Sequence, residues 1–284
     1  MKLLSAARAL LRRVCATLTG TVGLAIVGAV LGAALFAPWV ASADPDKLDV
    51  MNRFAAPSFA HWLGTDHLGR DLYSRLVHGA TVAMGTALTS IAIALSVGTL
   101  SGILAAYLPP SLERFVLIVY DVIVSFPSMV LALAIVAVFG PSTLIVVVIV
   151  AITLTPHFGR VARAQVLTLK SAPFLEAERI LGASPARIVR HHILPNIMAP
   201  LVILASMDIP VVITIEAGLS FLGLGVRPPL ASWGTLIQDG YQYLSDSWVP
   251  VVVSSAALAV ATLGFTLFGE ALRDAVDPRL QRER

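Results

Sequence analysis

The chain of 284 residues is 57% hydrophobic and only 13% charged, with a formal net charge of +3. Soluble domains carry about a quarter charged residues, so this chain lacks the groups to dress a water-soluble surface and reads as a protein solvated mostly by lipid. Its Arg residues lie between apolar runs instead of forming a patch, which speaks against a nucleic-acid partner, and the single cysteine, Cys15, excludes an internal disulfide or a cysteine-cluster metal site.

The N-terminal stretch is basic, with Lys2, Arg8, Arg12 and Arg13. The apolar run from Val14 to Ala43 mimics a secretory signal core, but it is too long and lacks a cleavage site, so residues 20–41 are expected to be a retained first span. A membrane helix needs about 20 predominantly apolar residues. The next segments that qualify are 79–108, closed by Pro109-Pro110, and 113–139, ending near Gly140-Pro141. They are followed by 142–158, short but aliphatic, by 199–221, which carries Asp208, Pro210 and Glu216, and by 248–270. Lipid offers backbone groups no partners, so helices are the default, and spans this long and this few do not build a barrel. The expected fold class is an all-α membrane protein with six transmembrane helices.

Six spans put both termini on one side. With the N-terminus inside, segments 1–19, 109–114, 159–198 and 271–284 hold fifteen of the 20 Lys and Arg, leaving Lys47, Arg53, Arg70, Arg75 and Arg227 outside. Positive charge is retained on the cytoplasmic side, so both termini are expected there. The domain organisation is then a cytoplasmic segment 1–19, a six-span domain 20–270 and a cytoplasmic tail 271–284. The six-span domain carries an outer loop at 42–78 and an inner loop at 159–198. Trp39, Trp62, Trp233 and Trp248 fall near outer span ends, where interfacial anchors belong. Tyr241 and Tyr243 offer contacts to headgroups or to a partner protein.

The inner loop is expected to be structured. Residues 171–182 read as a short helix with Pro173 in its first turn, Glu176 and Glu178 early, and Gly182 able to take the left-handed conformation that ends it. Ser184 offers an N-cap and Pro185 a first position for a second helix, which runs into Pro195. Two helices joined by a glycine corner make a stiff knob that transmits a displacement to the spans beside it. A helix pair lying on the headgroups, anchored by Arg179, Arg187 and Arg190, is the other reading of the same spacing.

Reactive chemistry is sparse. No G-x-x-x-x-G-K-[ST] run occurs, and Lys2, Lys47 and Lys170 do not follow glycine-rich turns, so a nucleotide triphosphate is not cradled in that way. No nucleophile elbow surrounds the available Ser, His and Asp, and no catalytic residue is assigned. The adjacent His191 and His192 point to different sides of a helix. His61, Asp66 and His67 are residue types that suit a transition metal, but a turn-forming Asp66 in GTDHLG accounts for them without one, and no metal site is assigned.

Several strings occur in register from about residue 61 to 279. They are Leu63-Gly64-Thr65-Asp66-His67-Leu68-Gly69-Arg70-Asp71, then Glu176-Ala177-Glu178 with Gly182 and Leu194-Pro195, then Glu216 to Gly225 with Ser232-Trp233-Gly234, and finally Leu272 to Arg279. Together they resemble the C-type permease subunit of the dipeptide, oligopeptide and nickel branch of ATP-binding-cassette importers. Three positions depart from the usual pattern: Glu178 stands where Ala is common, His192 where Ile is expected, and Glu270 where Asp is usual.

The resemblance implies the type I importer permease architecture, an ATPase-coupling loop formed by Glu176, Ala177, Glu178, Gly182, Ala183, Ser184, Leu194 and Pro195, and an outer-loop signature of Gly64, Thr65, Asp66, Gly69, Arg70 and Asp71. It also implies the partners: a second homologous permease subunit, two ATP-binding-cassette ATPase subunits and an extracytoplasmic substrate-binding protein. ATP and Mg would sit on the ATPases, with no cofactor on this chain, in a bacterial inner membrane. The cargo is expected to be a short peptide; nickel, glutathione or another small solute are the alternatives.

Asp208 and Glu216 are candidates for the translocation path, because an ionised carboxylate at membrane depth costs about 2.5–3.5 kcal/mol on insertion scales. Asp208 either faces the path and attracts a substrate ammonium or hydrogen-bonds within the bundle. Glu216 either shares the path or orients the loop that follows. Asp121, early in the third span, is expected to lie close enough to the inner surface to stay hydrated. An ion-coupled secondary transporter would require matched discontinuous helices and a paired repeat, which the sequence lacks. An intramembrane enzyme would require a paired catalytic constellation, also lacking.

Overall fold

The computed structural model describes residues 10–276, so the first basic residues and the tail positions Asp277, Pro278 and Arg279 lie outside the described residues. The described residues form helices and loops without a strand; a single isolated bridge pairs Thr65 with Asp71. In chain order the helices of eight residues or more among the described residues are α1 (Leu18–Leu35), α2 (Leu72–Tyr107), α3 (Pro110–Ser125), α4 (Ser128–Phe139), α5 (Thr143–Lys170), α6 (Pro173–Ile180), α7 (Pro185–Phe221), α8 (Trp233–Gln242) and α9 (Val249–Val276). By length and composition α1, α2, α5, α7 and α9 can each cross a membrane, and α3 with α4 makes a sixth span if that pair counts as one.

The expected third span is not one rod. Its halves, α3 and α4, are bent by 89°. Pro127 sits at the break, and its ring forces the preceding residue out of helical geometry: Phe126 is extended, at φ −86° and ψ 128°. Pro156, in contrast, does not end the fourth span, which was expected to stop at 158 and instead continues to Lys170. The Thr155 hydroxyl donates to the Ala151 carbonyl at 2.7 Å, and Phe158 and Ala162 are fully buried. Hydroxyl bonds and packing carry a membrane helix past a proline.

Pro195 does not break its helix either. A π turn at Val189–Ile193 precedes it, with the Leu194 N–H donating to the Val189 carbonyl. This wider turn accommodates the proline ring, so the second inner helix and the fifth span are one continuous element. Helix α2 starts at Leu72, seven residues inside the stretch expected to be outer loop. Asp71 explains the start: its carboxylate accepts from the Ser74 N–H at 2.8 Å, as an N-cap does.

The chain divides into two compact units, one of residues 1–88, 132–147 and 206–284, the other of 89–131 and 148–205. In the first, α1 approaches α9 through small residues, Gly23 against the backbone of Leu267 and Phe268 and Gly264 against Ile26. Membrane helices associate this way because lipid supplies no hydrophobic drive. In the second, the later part of α2 packs with α3 and α5. Tyr120 covers Gly159, and its hydroxyl lies 2.6 Å from Ser101 Oγ. Lys170 crosses the Tyr107 ring and donates to the Ala106 carbonyl at 2.7 Å, satisfying one of the last carbonyls of α2.

Candidate functional site

The inner corner is built from local rules. Pro173 opens α6, and Gly182, at φ +82°, turns the chain after it. The Ala183 N–H donates to the Glu178 carbonyl and the Gly182 N–H to the Arg179 carbonyl, both at 3.0 Å, which is a Schellman closure. Ser184 then caps α7 by accepting from the Arg187 N–H, with Pro185 in the first turn. Leu175, Ile188 and Ile193 are buried and root the corner, whereas Ile180 and Leu181 are 86% and 82% exposed. Glu176 and Ala177 are exposed as well, while Glu178 turns back so that its carboxylate lies 3.4 Å from His192 Nε2. The Phe174 ring sits beside the same histidine.

The outer loop is a second polar assembly with a different character. Gly64 and Gly69 take positive φ, and a side chain on Gly69 would collide with the Asp49 carbonyl. Between them Asp66 closes a turn on the Leu68 N–H at 2.9 Å and also receives the Arg70 N–H at 3.0 Å and the Arg70 guanidinium at 2.7 Å. Arg75, 2% exposed, lies 3.5 Å from the same carboxylate and donates to the Pro45 carbonyl. Arg70 also reaches Asp239 on α8 at 3.4 Å. Asp71 collects Ser74, Ser42 at 2.8 Å and His61 at 2.9 Å. Burial alone pushes the Asp71 carboxyl up, but the hydrogen bonds from Ser74, His61 and Ser42 outweigh it and hold the group below the ordinary carboxylate range. Burial pushes His67 down, opposed by Asp239 and Asp66, and pushes Asp239 up, opposed by His67, Arg70 and Arg75.

Known proteins share both the sequence pattern and the helical architecture. Residues 98–282 match the family described as "Binding-protein-dependent transport system inner membrane component". The chain belongs to that family. Among its relatives, the "Probable D,D-dipeptide transport system permease protein DdpC" of Escherichia coli (strain K12) is 37% identical over 245 residues, covering 86% of this chain and 82% of the relative. The "Dipeptide transport system permease protein DppC" of Alkalihalophilus pseudofirmus is 35% identical over 260 residues, covering 92% and 86%. The "Glutathione transport system permease protein GsiD" of Pectobacterium atrosepticum is 37% identical over 238 residues, covering 84% and 77%. An inward-facing structure of the MetNI methionine ABC transporter shares the fold, with a TM-score of 0.57 at 19% identity over 72% of this chain and 97% of that chain. This multi-pass protein is a permease subunit, a non-catalytic membrane component.

Within the permease, two departures from the usual loop pattern meet: Glu178 and His192 are partners across the glycine corner. Sequence position alone does not announce that pairing. Glu216 is 1% exposed and accepts from the Ser220 hydroxyl at 2.7 Å, while Ser220 Oγ also accepts from the Val226 N–H. Its side chain is therefore turned into its own chain and is tied through Ser220 to the loop after α7. Asp208 is half-buried on α7. Trp233 is not an interfacial anchor: it is 3% exposed, lies across Gly79 and donates its indole N–H to the Leu76 carbonyl at 3.0 Å. Tyr243 stacks on His67 with ring centroids 4.7 Å apart, while Tyr241 stays exposed. His61 and His67 face different partners, and among the described residues no group of three His, Cys, Asp or Glu could hold a metal ion.

Helix α8 escaped sequence reasoning altogether. Its signal was present as a capping box: Ser232 Oγ accepts from the Thr235 N–H, and Thr235 Oγ1 accepts from the Ser232 N–H. Gly234 and Gly240 disguise it, since glycine weakens helix propensity. Both are needed here because a side chain at either would strike a neighbouring backbone, Ala217 in one case and Val251 in the other.

Proposed function

We propose that this permease forms half of the membrane path of an ATP-driven peptide importer and that the corner between α6 and α7 is gripped by an ATPase subunit. The observation that carries this reading is the corner itself, rooted in buried aliphatic residues, closed by a Schellman turn and a serine cap, and still presenting Ile180 and Leu181 to solvent. Glu176, Ala177, Gly182, Ala183 and Ser184 form the docking face. Leu194 and Pro195 begin the span that the motion drives, and the π turn before them ties the corner to α7. A second permease completes the path, two ATPases bind ATP and Mg, and an extracytoplasmic binding protein delivers cargo. The retention of Arg and Lys on inner segments supports cytoplasmic termini. Asp208, beside Pro210, faces the path.

Relatives named for dipeptide transport support a short peptide as cargo, and the relative named for glutathione supports a tripeptide as the second reading. The test is uptake of a labelled dipeptide by proteoliposomes holding this permease with its second permease, ATPases and binding protein. Uptake is expected to need ATP, to stop with vanadate and to ignore an uncoupler. Uptake without ATP that collapses with an uncoupler would replace this reading with an ion-coupled carrier.

A further inference from the structure

Helices α3 and α5 each present polar groups on a face that the chain itself leaves open. On α3 the exposed positions include Arg114, Ile118, Asp121 and Ser125, and on α5 they include His157, Arg160, Ala164 and Thr168, spaced at three and four residues in both cases. Such spacing puts each set along one side of its helix. The two stripes meet at Arg160 and Asp121, whose Nη2 and Oδ1 atoms lie 2.7 Å apart with the side chains 44% and 71% exposed.

Lipid is a poor solvent for this pair on physical grounds. Asp121 lies eleven residues into α3 and Arg160 ten residues before the end of α5, so each is roughly 15 Å along its helix from the inner end. An arginine stem can snorkel over such a distance, but an aspartate has no comparable reach. One turn beyond Asp121 the helix breaks at Phe126 and Pro127, both exposed. Non-helical backbone at membrane depth is tolerated where it is buried in protein or lines a water-filled cavity, and here it is not buried by its own chain. By contrast, the neighbouring Glu113–Arg163 pair is only about a quarter exposed and serves as an internal strut.

We propose that Asp121 and Arg160, flanked by Ser125 and His157, line the aqueous path at the level of the helix break and offer a carboxylate and a guanidinium to the two charged ends of a zwitterionic cargo. The cargo class rests on the peptide-import reading; the placement in water does not. In the structure the two groups satisfy each other, and a passing ammonium and carboxylate exchange with them while the charge of the site stays balanced.

The test uses the complete importer in proteoliposomes with Cys15→Ser as background. Ser125→Cys is expected to react with a membrane-impermeant charged thiol reagent at least about tenfold faster than Val119→Cys, an exposed position about 120° round α3 and about 9 Å nearer its inner end, where a water-facing site would label no more slowly, and vanadate trapping is expected to change the Ser125→Cys rate. Equal, slow labelling of both overturns the placement, as does a disulfide from Ser125→Cys to the second permease that blocks labelling in every state. Asp121→Asn and Arg160→Gln are each expected to lower uptake of a free dipeptide about tenfold while binding-protein-stimulated ATP hydrolysis persists, and the Asp121→Arg, Arg160→Asp double variant is expected to recover part of it. Fast labelling with unchanged dipeptide uptake overturns the cargo-charge role. If the wild-type importer carries no peptide, the peptide reading fails while the labelling contrast still judges the placement.

Discussion

The outer loop and the inner corner are both short, polar and turned by glycines, yet they complete themselves differently. Around Asp66 and Asp71 the charges are buried and matched within the chain, Arg70 and Arg75 against Asp66, His61 and two serines against Asp71. Around Gly182 the backbone is equally well defined, but no heavy atom lies within 4 Å of where its side chain would start, and the apolar tip is open. The first assembly is finished by its own residues and holds the outer part of the molecule in shape. The second is closed by its own turns but leaves its apolar tip uncovered, in keeping with the proposed docking role. Damage to the first should appear as lost folding, and damage to the second as lost transmission.

That contrast is most severely tested by Gly182→Pro. Proline cannot adopt φ +82° and removes the N–H that donates to Arg179. Uptake should be abolished while membrane insertion and abundance stay normal; wild-type uptake by assembled mutant complexes would refute the coupling role of the corner. Asp66→Ala should show the opposite profile. It removes the carboxylate shared by two buried guanidinium groups, leaving Arg70 with Asp239 and Arg75 with the Pro45 carbonyl, and should cost about 3–5 kcal/mol, read as lower abundance and a lower unfolding temperature, with normal uptake per surviving complex.

Acid should loosen the outer assembly before the corner. Asp71 is held below its ordinary value, so its contribution is complete above the unfolded carboxylate pKa and lost as pH falls through the folded one. His67, pushed down by burial, acts in the same sense starting just below its ordinary value of 6.5. Asp239, pushed up by burial, works against them: its contribution is full below the unfolded value and lost as pH rises through the folded one. The unfolding temperature of the purified complex should therefore fall on acidification, with Asp71→Asn flattening the most acidic part of the curve. The smallest effect is expected from Gly182→Ala. It meets no obstruction and costs only the left-handed backbone, about 1–2 kcal/mol, so uptake should drop modestly.

Much of the corner was legible because its rules are local. Pro173, Gly182, Ser184 and Pro185 each dictate the geometry of the one or two residues beside them, and the structure places a turn and a cap at those positions. Prolines within helices were harder to read. Pro127 breaks a span, Pro156 does not, and Pro195 is absorbed by a π turn, because the outcome depends on which hydroxyls and neighbours can replace the missing bond. The outer pairings were hidden for another reason: Arg70 and Asp239 are 169 positions apart, and no short-range pattern reports that separation.

By itself the sequence determined that this is a lipid-solvated helical protein, roughly where its spans lie and where its inner loop turns, because hydropathy, charge and turn chemistry act over a few residues. Only the tertiary structure decided that Glu216 and Trp233 face inward, that Glu178 meets His192, and that Asp121 finds Arg160 on an open polar face. Those outcomes turn on which helix faces which, and that is set by packing between segments far apart in the chain.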